Sequence, residues 1–543
     1  MTWGLIIVLV LLLLFVFALL TLGEGLLKVA ASQNGVEAAN YSVIPNKLGS
    51  LFQGAKRRPG YVPVGANIRH LNRGFDINLV GIADRTIPVE ALRLSRYSIK
   101  PTDFVDMSPM PKVLVEVGSQ VKAGQPLFFD KKRPDVIYSA PISGELIEVR
   151  RGEKRMIVEL CILADQGEIQ YFQYDNIPSL TNATRDELVN FLVSSGAWPF
   201  IRQRPYDTVA DENDVPKSIF VSTFDSAPLA PDLNLAVAGK DDAWYKGLEV
   251  LSRLSGSKVH IGLNAGSDNA PAAAYLNSNT VEGVETHWFQ GPHPAGNVGI
   301  QIHHTDPVLP GSKVWYTDVH AVILIGNLFL KGIFDTEKVV ALSGSELKAK
   351  YVRVHQGANV EGILKDMPAD FAEEMVWSKD DQGKKVKKAA TLRKTRIISG
   401  DVLTGTQIER NESLGFFDDQ ITAVKEGNYY EMFGWLVPAT GHPTISASFP
   451  ATIFPDISYE ADTNTNGEKR AFVMTGEYES VLPMDIYPQH VFRAIMCNDI
   501  EKMEGLGILE LSEEDIALCE FVCTSKQPLQ KMLREGLETL RNS

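Results

Sequence analysis

PMPKVLVEVGSQVKAGQPLFFDKKRPDVIYSAPISGELIEVRRGEKRMIVELC, residues 109–161, decides the fold of the first third of the chain. Apolar and polar residues alternate at Val113, Val115 and Val117, and apolar positions return at Leu146, Ile147 and Val149. A period of two over short segments predicts half-buried β-strands. Gly118, Gly124, Pro126, Pro134, Pro141, Gly144 and Gly152 punctuate the runs as turns. Two strand–turn halves of similar design then pack on each other as a small β-sandwich.

This string resembles the lipoyl/biotinyl family: V-x-V-G-x-x-V-K-x-G-Q-x-L, then A-P-x-x-G-x-L. The resemblance implies a barrel-sandwich hybrid with an exposed hairpin, where a carrier would hold its cofactor on a lysine. Here the hairpin reads Asp130-Lys131-Lys132-Arg133-Pro134, without the acidic-Asp-Lys-small tip of a carrier. The domain is therefore read as structural and the hairpin as a solvated basic turn.

Outward from this unit, 543 residues suffice for several domains. A net charge of −14 argues against a nucleic-acid partner, which requires a basic face. Four cysteines, at 161, 497, 519 and 523, are too few for a disulfide scaffold. Cys519 and Cys523 are expected to be buried small hydrophobes rather than metal ligands.

Residues 3–22 carry no charge and are dominated by Leu, Val, Ile and Phe. Twenty residues of helix span the roughly 30 Å hydrocarbon core of a bilayer, so a transmembrane helix is expected within 1–22. A cleaved signal peptide is the rival, with Val29-Ala30-Ala31-Ser32 as its cleavage site, but no basic n-region precedes the run. Lys28, Lys47, Lys56, Arg57 and Arg58 follow it, which places the N-terminus outside and the bulk of the chain in the cytoplasm. Residues 23–60 read as a tether.

Four further regions are expected. The β-sandwich occupies 61–165, preceded by a strand-like pair around Ile68 to Ile82. An α/β domain covers 166–388. Its near-continuous apolar runs at 218–222, 258–263 and 321–326 fit strands of a mainly parallel sheet, and helical periods at 184–195 and 242–255 intervene. The lysine-rich stretch within 366–392 reads as a linker. A glycine-punctuated β module covers 389–470 and a helical domain 471–543, with Ser512 capping one helix.

The chain lacks G-x-x-x-x-G-K-[ST], G-x-G-x-x-G after a strand, and C-x-x-C-x-x-C. Neither a P-loop, nor a dinucleotide turn, nor a usual iron–sulfur cradle is expected. Histidines gather at Gly291-Pro292-His293-Pro294 and His303-His304-Thr305-Asp306-Pro307, ahead of Trp315-Tyr316. On a strand, His303 and His304 face opposite ways and cannot share a metal, so no metal site is assigned. His293 and Asp306 beside prolines suggest a pocket rim, with Trp315 and Tyr316 as its apolar walls. Arg353 and His355 are expected on one face of a strand.

Taken in order, a series of motifs resembles the A subunits of the sodium-translocating NADH:quinone reductase. They are R-G-F-D-I-N-L at 73–79, D-K-K at 130–132, R-x-R-P at 202–205 and G-P-H-P-A-G at 291–296. H-x-x-D-P-V at 303–308, V-W-Y at 314–316 and R-I-I-S-G-D-V-L-T-G at 396–405 follow, then L-P-M-D-I-Y-P at 482–488 and L-E-L-S-E-E-D-I-A-L-C-x-F-V-C at 509–523.

The resemblance implies a multidomain α/β architecture: a lipoyl-like β-sandwich, a Rossmann-like α/β domain, a β-grasp module of the SLBB-like kind and C-terminal helices. It implies a non-redox subunit on the cytoplasmic face of a bacterial inner membrane, in a complex that couples electron transfer from NADH to quinone with sodium export. NADH oxidation, flavins and iron–sulfur centres belong to partner subunits. Subunits B, C, D, E and F are the implied partners, with B the closest. No tightly bound cofactor is implied, and ubiquinone or menaquinone is the quinone this subunit would stand near. Quinone-proximal candidates are Phe75, Asp76, His293, His303 and Trp315, and no catalytic residue is assigned. The alternatives are an Rnf-like electron-transport subunit or a lipoyl/biotinyl carrier-type subunit. The membrane segment within residues 1–60 departs from the family pattern.

Overall fold

The computed structural model describes residues 58–365, 371–379, 385–429 and 457–543, with Leu12, Phe15 and Pro443; for Phe371–Lys379 and Lys385–Arg393 it describes the backbone. The chain divides into two units, Met1–Val62 and Pro63–Ser543, and every strand belongs to the second. The expected membrane span and most of the tether lie outside the described residues, apart from helical, exposed Leu12 and Phe15. Among the described residues no helix is long and apolar enough to cross a membrane.

The 109–161 string builds a sandwich. One sheet orders Arg96–Ile99, Ile157–Ala164, Gly144–Arg151 and Gln120–Val121; the other orders Lys112–Val113, Pro126–Asp130 and Arg133–Ser139. Leu127, Phe128, Leu146, Leu160 and Ile162 are sealed between them, and Phe128 stacks on Tyr138 at 4.7 Å. Each such side chain contributes about 1.5–3 kcal/mol by leaving water. The alternation at 113–117 yields only a two-residue strand, because Val115 and Val117 fall in the turn that leads to Gly118. At the hairpin tip Lys132 is tied to Asp106 at 2.8 Å, and Arg133 pairs with Glu212.

The α/β unit holds a seven-stranded sheet ordered Ile68–His70, Val284–Gln290, Val259–Asn264, Ile219–Ser222, Val314–Thr317, Arg202–Arg204 and Thr208–Val209. The first five run parallel, Arg202–Arg204 runs against them, and Thr208–Val209 pairs antiparallel with it. Ile68–His70 lies at its edge, so the expected strand pair near 68–82 splits: its first strand serves this sheet, while Leu79 bridges Tyr459. Arg185–Ser195 starts at a Thr184–Glu187 capping box, and Asp241–Ser255 ends at left-handed Gly256.

Two apolar segments differ from the expected strands. Residues 321–326 lie in the helix Val319–Lys331, capped by Asp318 and closed by Gly332. A short apolar run has no period that separates a buried helix from a buried strand; the Asp cap ahead of the run and the glycine behind it decide the matter. His303 and His304 end the helix Val298–Thr305, not a strand.

The third sheet orders Glu90–Ala91, Lys350–His355, Glu337–Ser343, Gln420–Lys425, Thr395–Ser399 and Thr406–Ile408. It draws strands from both sides of the expected boundary at 388/389, because Ala341 to Ser343 pair in parallel with Gln420 to Thr422. Arg353 and His355 do share a strand face, facing Glu337 and Asp335. Much of the expected linker is an antiparallel ribbon, Phe371–Lys379 with Lys385–Arg393. Val376, Trp377, Val386 and Thr391 carry strand propensity that the lysine count hides.

Five helices from Glu477 to Asn542 close the fold. Phe492, Leu511, Ile516, Leu529, Leu533 and Leu537 form their core with Phe289 and Ile300 of the α/β unit. Glu513–Val522 starts with a Ser512–Asp515 capping box. Cys519 and Cys523 are buried in this core, with the Cys523 thiol 2.9 Å from the Tyr478 hydroxyl.

Candidate functional site

In a parallel sheet, ligands gather where strand order reverses, outside the carboxyl ends of the strands. Here the chain moves from Ile219–Ser222 outward through Val259–Asn264 and Val284–Gln290, then returns to Val314–Thr317 on the other side of its starting strand. A cavity of about 430 Å³ lies at these loop ends. Asp225 follows the first strand, His293 and Asn297 follow the third, Asp401 and Asp419 come from loops of the third sheet, and Glu514 and Arg534 come from the C-terminal helices.

His293 is the best-defined group on its wall. Its N–H donates to Asp76 Oδ1 at 2.8 Å, and its carbonyl accepts the Phe75 N–H at 2.9 Å. Gly74 makes that approach possible: its φ is +130°, and a Cβ there would overlap the His293 carbonyl. The Ser226 hydroxyl accepts the Gly296 N–H at 2.8 Å and sits 3.1 Å from His293 Nδ1. Nε2 is buried without a partner, and such a group calls for one.

Burial pulls the His293 imidazole down to about 4, against an opposing hydrogen bond to the Ser226 backbone. Burial pushes the Asp419 carboxyl up to about 7 despite nearby Lys338. The Asp225 carboxyl rises to about 6 through its surrounding protein mass, a shift softened by water reaching it from the cavity. Glu514 is raised by burial and by Asp515 beside it, and the third of its side chain in solvent moderates this. The cavity thus offers a neutral imidazole with an unpartnered nitrogen, and near it Asp419, a carboxyl that takes up a proton near neutrality. Arg202 lies between the rings of Tyr316 and Phe417, 4.7 and 4.5 Å from their centroids, and Arg534 grips Glu513.

The histidine supplies a sign that can be checked. Its folded pKa lies below the ordinary 6.5, so its contribution to stability is complete above that value and is lost as pH falls toward 4. Asp419 and Asp225 act oppositely, since raised carboxyls favour the fold at low pH and lose that effect as pH rises through about 7 and about 6. Urea denaturation of His293→Gln and the parent at pH 7 and pH 4 isolates the histidine. The variant is expected to lose less on acidification, by up to about 3 kcal/mol.

Residues 69–165 match the family model described as the NqrA N-terminal barrel-sandwich hybrid domain, and residues 183–334 match the NqrA second alpha/beta domain. The A subunit of the Na(+)-translocating NADH-quinone reductase of Rhodopirellula baltica is 33% identical over 479 residues, covering 87% of this chain and 98% of that relative. The chain belongs to the family of Na(+)-translocating NADH-quinone reductase A subunits. The corresponding NqrA protein of Vibrio atlanticus is 34% identical over 475 residues, with the same coverage. An NAD+-reducing [NiFe]-hydrogenase chain in the air-oxidized state aligns with 68% of this chain and 64% of its own length at 12% identity and a TM-score of 0.31, too weak a likeness to bear on fold or function.

Within the NqrA framework the sequence candidates separate. Phe75, Asp76 and His293 come together through the two backbone links above. His303 does not join them: its Nδ1 meets Glu510 at 2.8 Å and its Nε2 accepts the Asp485 N–H, which ties the helix Val298–Thr305 to the C-terminal helices. Trp315 is fully buried against Trp198 at 5.3 Å and Tyr316 lies beneath Arg202 and Arg204, so neither forms the apolar wall expected of them. A strand inside a sheet covered on both faces has no free side to offer a pocket.

Sequence reasoning missed Asp225, Ser226, Asp401 and Asp419. Their signal was position: each lies just past or just before an apolar strand run, as in F-V-S-T-F-D-S at 220–226. It also missed His260, Glu285 and His287, whose ligand atoms lie within 4.8 Å of one another. Glu285-x-His287 on a strand was the available hint, since alternate residues share a face.

Proposed function

We propose that the chain serves as the A subunit of a sodium-translocating NADH-quinone reductase complex and that the cavity at His293 receives the quinone headgroup. The unpaired, buried Nε2 carries the reading: with the ring proton on it, Nε2 is a donor that a quinone carbonyl accepts from. Reduction of a quinone to its quinol consumes two protons, and Asp419, with its carboxyl pushed up to about 7, exchanges a proton near neutrality. The chain works without a tightly bound redox group, leaving NADH oxidation, flavins and iron–sulfur centres to subunits B to F, with B its nearest neighbour. Residues 3–22 anchor it in a bacterial inner membrane, N-terminus outside and the rest in the cytoplasm. The carrier-type alternative is disfavoured by the Lys132–Asp106 ion pair, which occupies one of the two hairpin lysines.

Photolabelling of the purified complex with a short-tailed azidoquinone tests the headgroup reading. Label is expected on peptides containing His293 or Asp225, and His293→Leu is expected to weaken quinone binding by about 0.5–1.5 kcal/mol, the net range for a hydrogen bond between neutral groups. Label confined to other subunits, or unchanged affinity in the variant, removes it. Membranes lacking the chain are expected to lose sodium-dependent NADH:quinone activity and regain it on add-back.

A further inference from the structure

Away from this cavity, the neighbouring strands Val259–Asn264 and Val284–Gln290 bring a second constellation to one face of the sheet. In their parallel register His260 lies opposite Glu285 and Gly262 opposite His287. Glu285 and His287 are two apart and share that face with their neighbour His260. His260 Nδ1 lies 2.8 Å from His287 Nε2 and 4.0 Å from Glu285 Oε2. The two rings are tilted, with centroids 4.9 Å apart, and His260 rests on Phe220.

Two imidazole nitrogens and a carboxylate are the donor set of a zinc-class cation, whose bonds to such ligands are about 2.0–2.2 Å. Tetrahedral geometry then sets donor atoms roughly 3.3 Å apart. To reach that spacing the two imidazole nitrogens part by about 0.5 Å and Glu285 closes on His260 by about 0.7 Å, and the partly exposed Glu285 gives an entry path. One neighbour opposes it. Arg69 Nη1 lies 3.0 Å from His287 Nδ1, while its Nε donates to the His304 carbonyl at 3.0 Å. A guanidinium can only donate, so Nδ1 accepts and the His287 proton sits on Nε2, where it is shared with His260. A cation on Nε2 sends that proton to Nδ1, which then faces Arg69 donor to donor. Lys258, paired with Glu285, adds a second positive charge to be displaced.

We propose that His260, His287 and Glu285 bind one divalent cation of the zinc class, and that Arg69 must leave His287 for the cation to enter. Arginine withdrawal also frees the carbonyl at the end of Val298–Thr305, so occupancy would be felt by the helix that holds Glu510 and Asp485 through His303.

Titration of the purified full chain with Co2+ tests this through its visible d–d absorption. One Co2+ per chain, displaced by Zn2+, is expected. His260→Ala and His287→Ala are expected to weaken binding by more than the roughly 10–100-fold that an outer partner costs, and Arg69→Gln is expected to tighten it. X-ray absorption of the zinc-loaded parent chain, which needs no variant to fold, is expected to count two imidazole ligands. Absence of bound Co2+ in both the parent and the Arg69→Gln chain, retention of it in His287→Ala, or a zinc shell without imidazole overturns the assignment.

Discussion

Replacing Arg204 by Met is expected to cost the fold about 3–5 kcal/mol, the range for breaking a buried ion pair by removing one partner. Arg204 is fully buried. Its Nη2 lies 3.4 Å from Asp515 Oδ2, and its guanidinium lies 5.2 Å from the Tyr316 ring. Asp515, Asp207 and Glu514 around it hold the guanidinium charged against its burial. Methionine fills similar space but leaves Asp515 as an uncompensated charge in a dry interior, whereas Asp207 keeps Arg202 at 3.5 Å. Asp515 also closes the capping box with Ser512, accepting from its N–H and hydroxyl at 2.9 Å each. The cost should therefore appear as loosening of the C-terminal helices from the α/β sheet. Thermal and urea unfolding of the two chains measures it. The double variant Arg204→Met/Asp515→Asn removes the stranded charge and keeps a capping acceptor, so it is expected to recover part of the loss. An Arg204→Met chain as stable as the parent would mean that the pair contributes nothing net.

The second large effect is expected at a helix crossing, where the sign itself is diagnostic. Asp241–Ser255 and Val319–Lys331 pack through two glycines, Gly247 and Gly326. A Cβ on Gly326 would overlap the Ala243 carbonyl, and one on Gly247 the Val322 carbonyl. Placing alanine for glycine in a helix normally gains about 1 kcal/mol. Here the overlap is with backbone, which cannot swing aside, so Gly326→Ala is expected to lose about 1–3 kcal/mol and Gly326→Val more. Gly505, at the end of Ile500–Gly505 with open space around it, is the control, and Gly505→Ala is expected not to destabilise. Circular dichroism melts of the three variants read the difference. A stabilising Gly326→Ala would show that the helices are free to separate.

Both effects rest on partners distant in sequence, and that marks where sequence reading stops. Thr184 and Ser512 announced their helices because a cap bonds to an N–H three residues away. The 109–161 unit was legible for a related reason: its turns are built locally by glycine and proline, and its two halves are neighbours in the chain. The run at 321–326 reads as strand yet lies in a helix, because apolar content records burial and not the element that is buried. His303 and Trp315 looked like pocket residues because composition cannot say which face a neighbour already covers. Phe75 and Asp76 meet His293 across more than two hundred residues, a closeness that candidates chosen by chemistry and position along the chain do not predict.

The sequence by itself determined the family, the sandwich, the parallel character of the central sheet and the caps that start its helices, since each depends on residues within a few positions of one another or on their order along the chain. Only the tertiary structure decided that strands 337–343 and 420–425 share a sheet, that Ser226 meets His293 at Nδ1 and leaves Nε2 without a partner, and that two histidines from separate strands meet beside Arg69. Those outcomes follow from strand order and the closure of distant loops, where burial and hydrogen-bond satisfaction are settled between segments rather than within them.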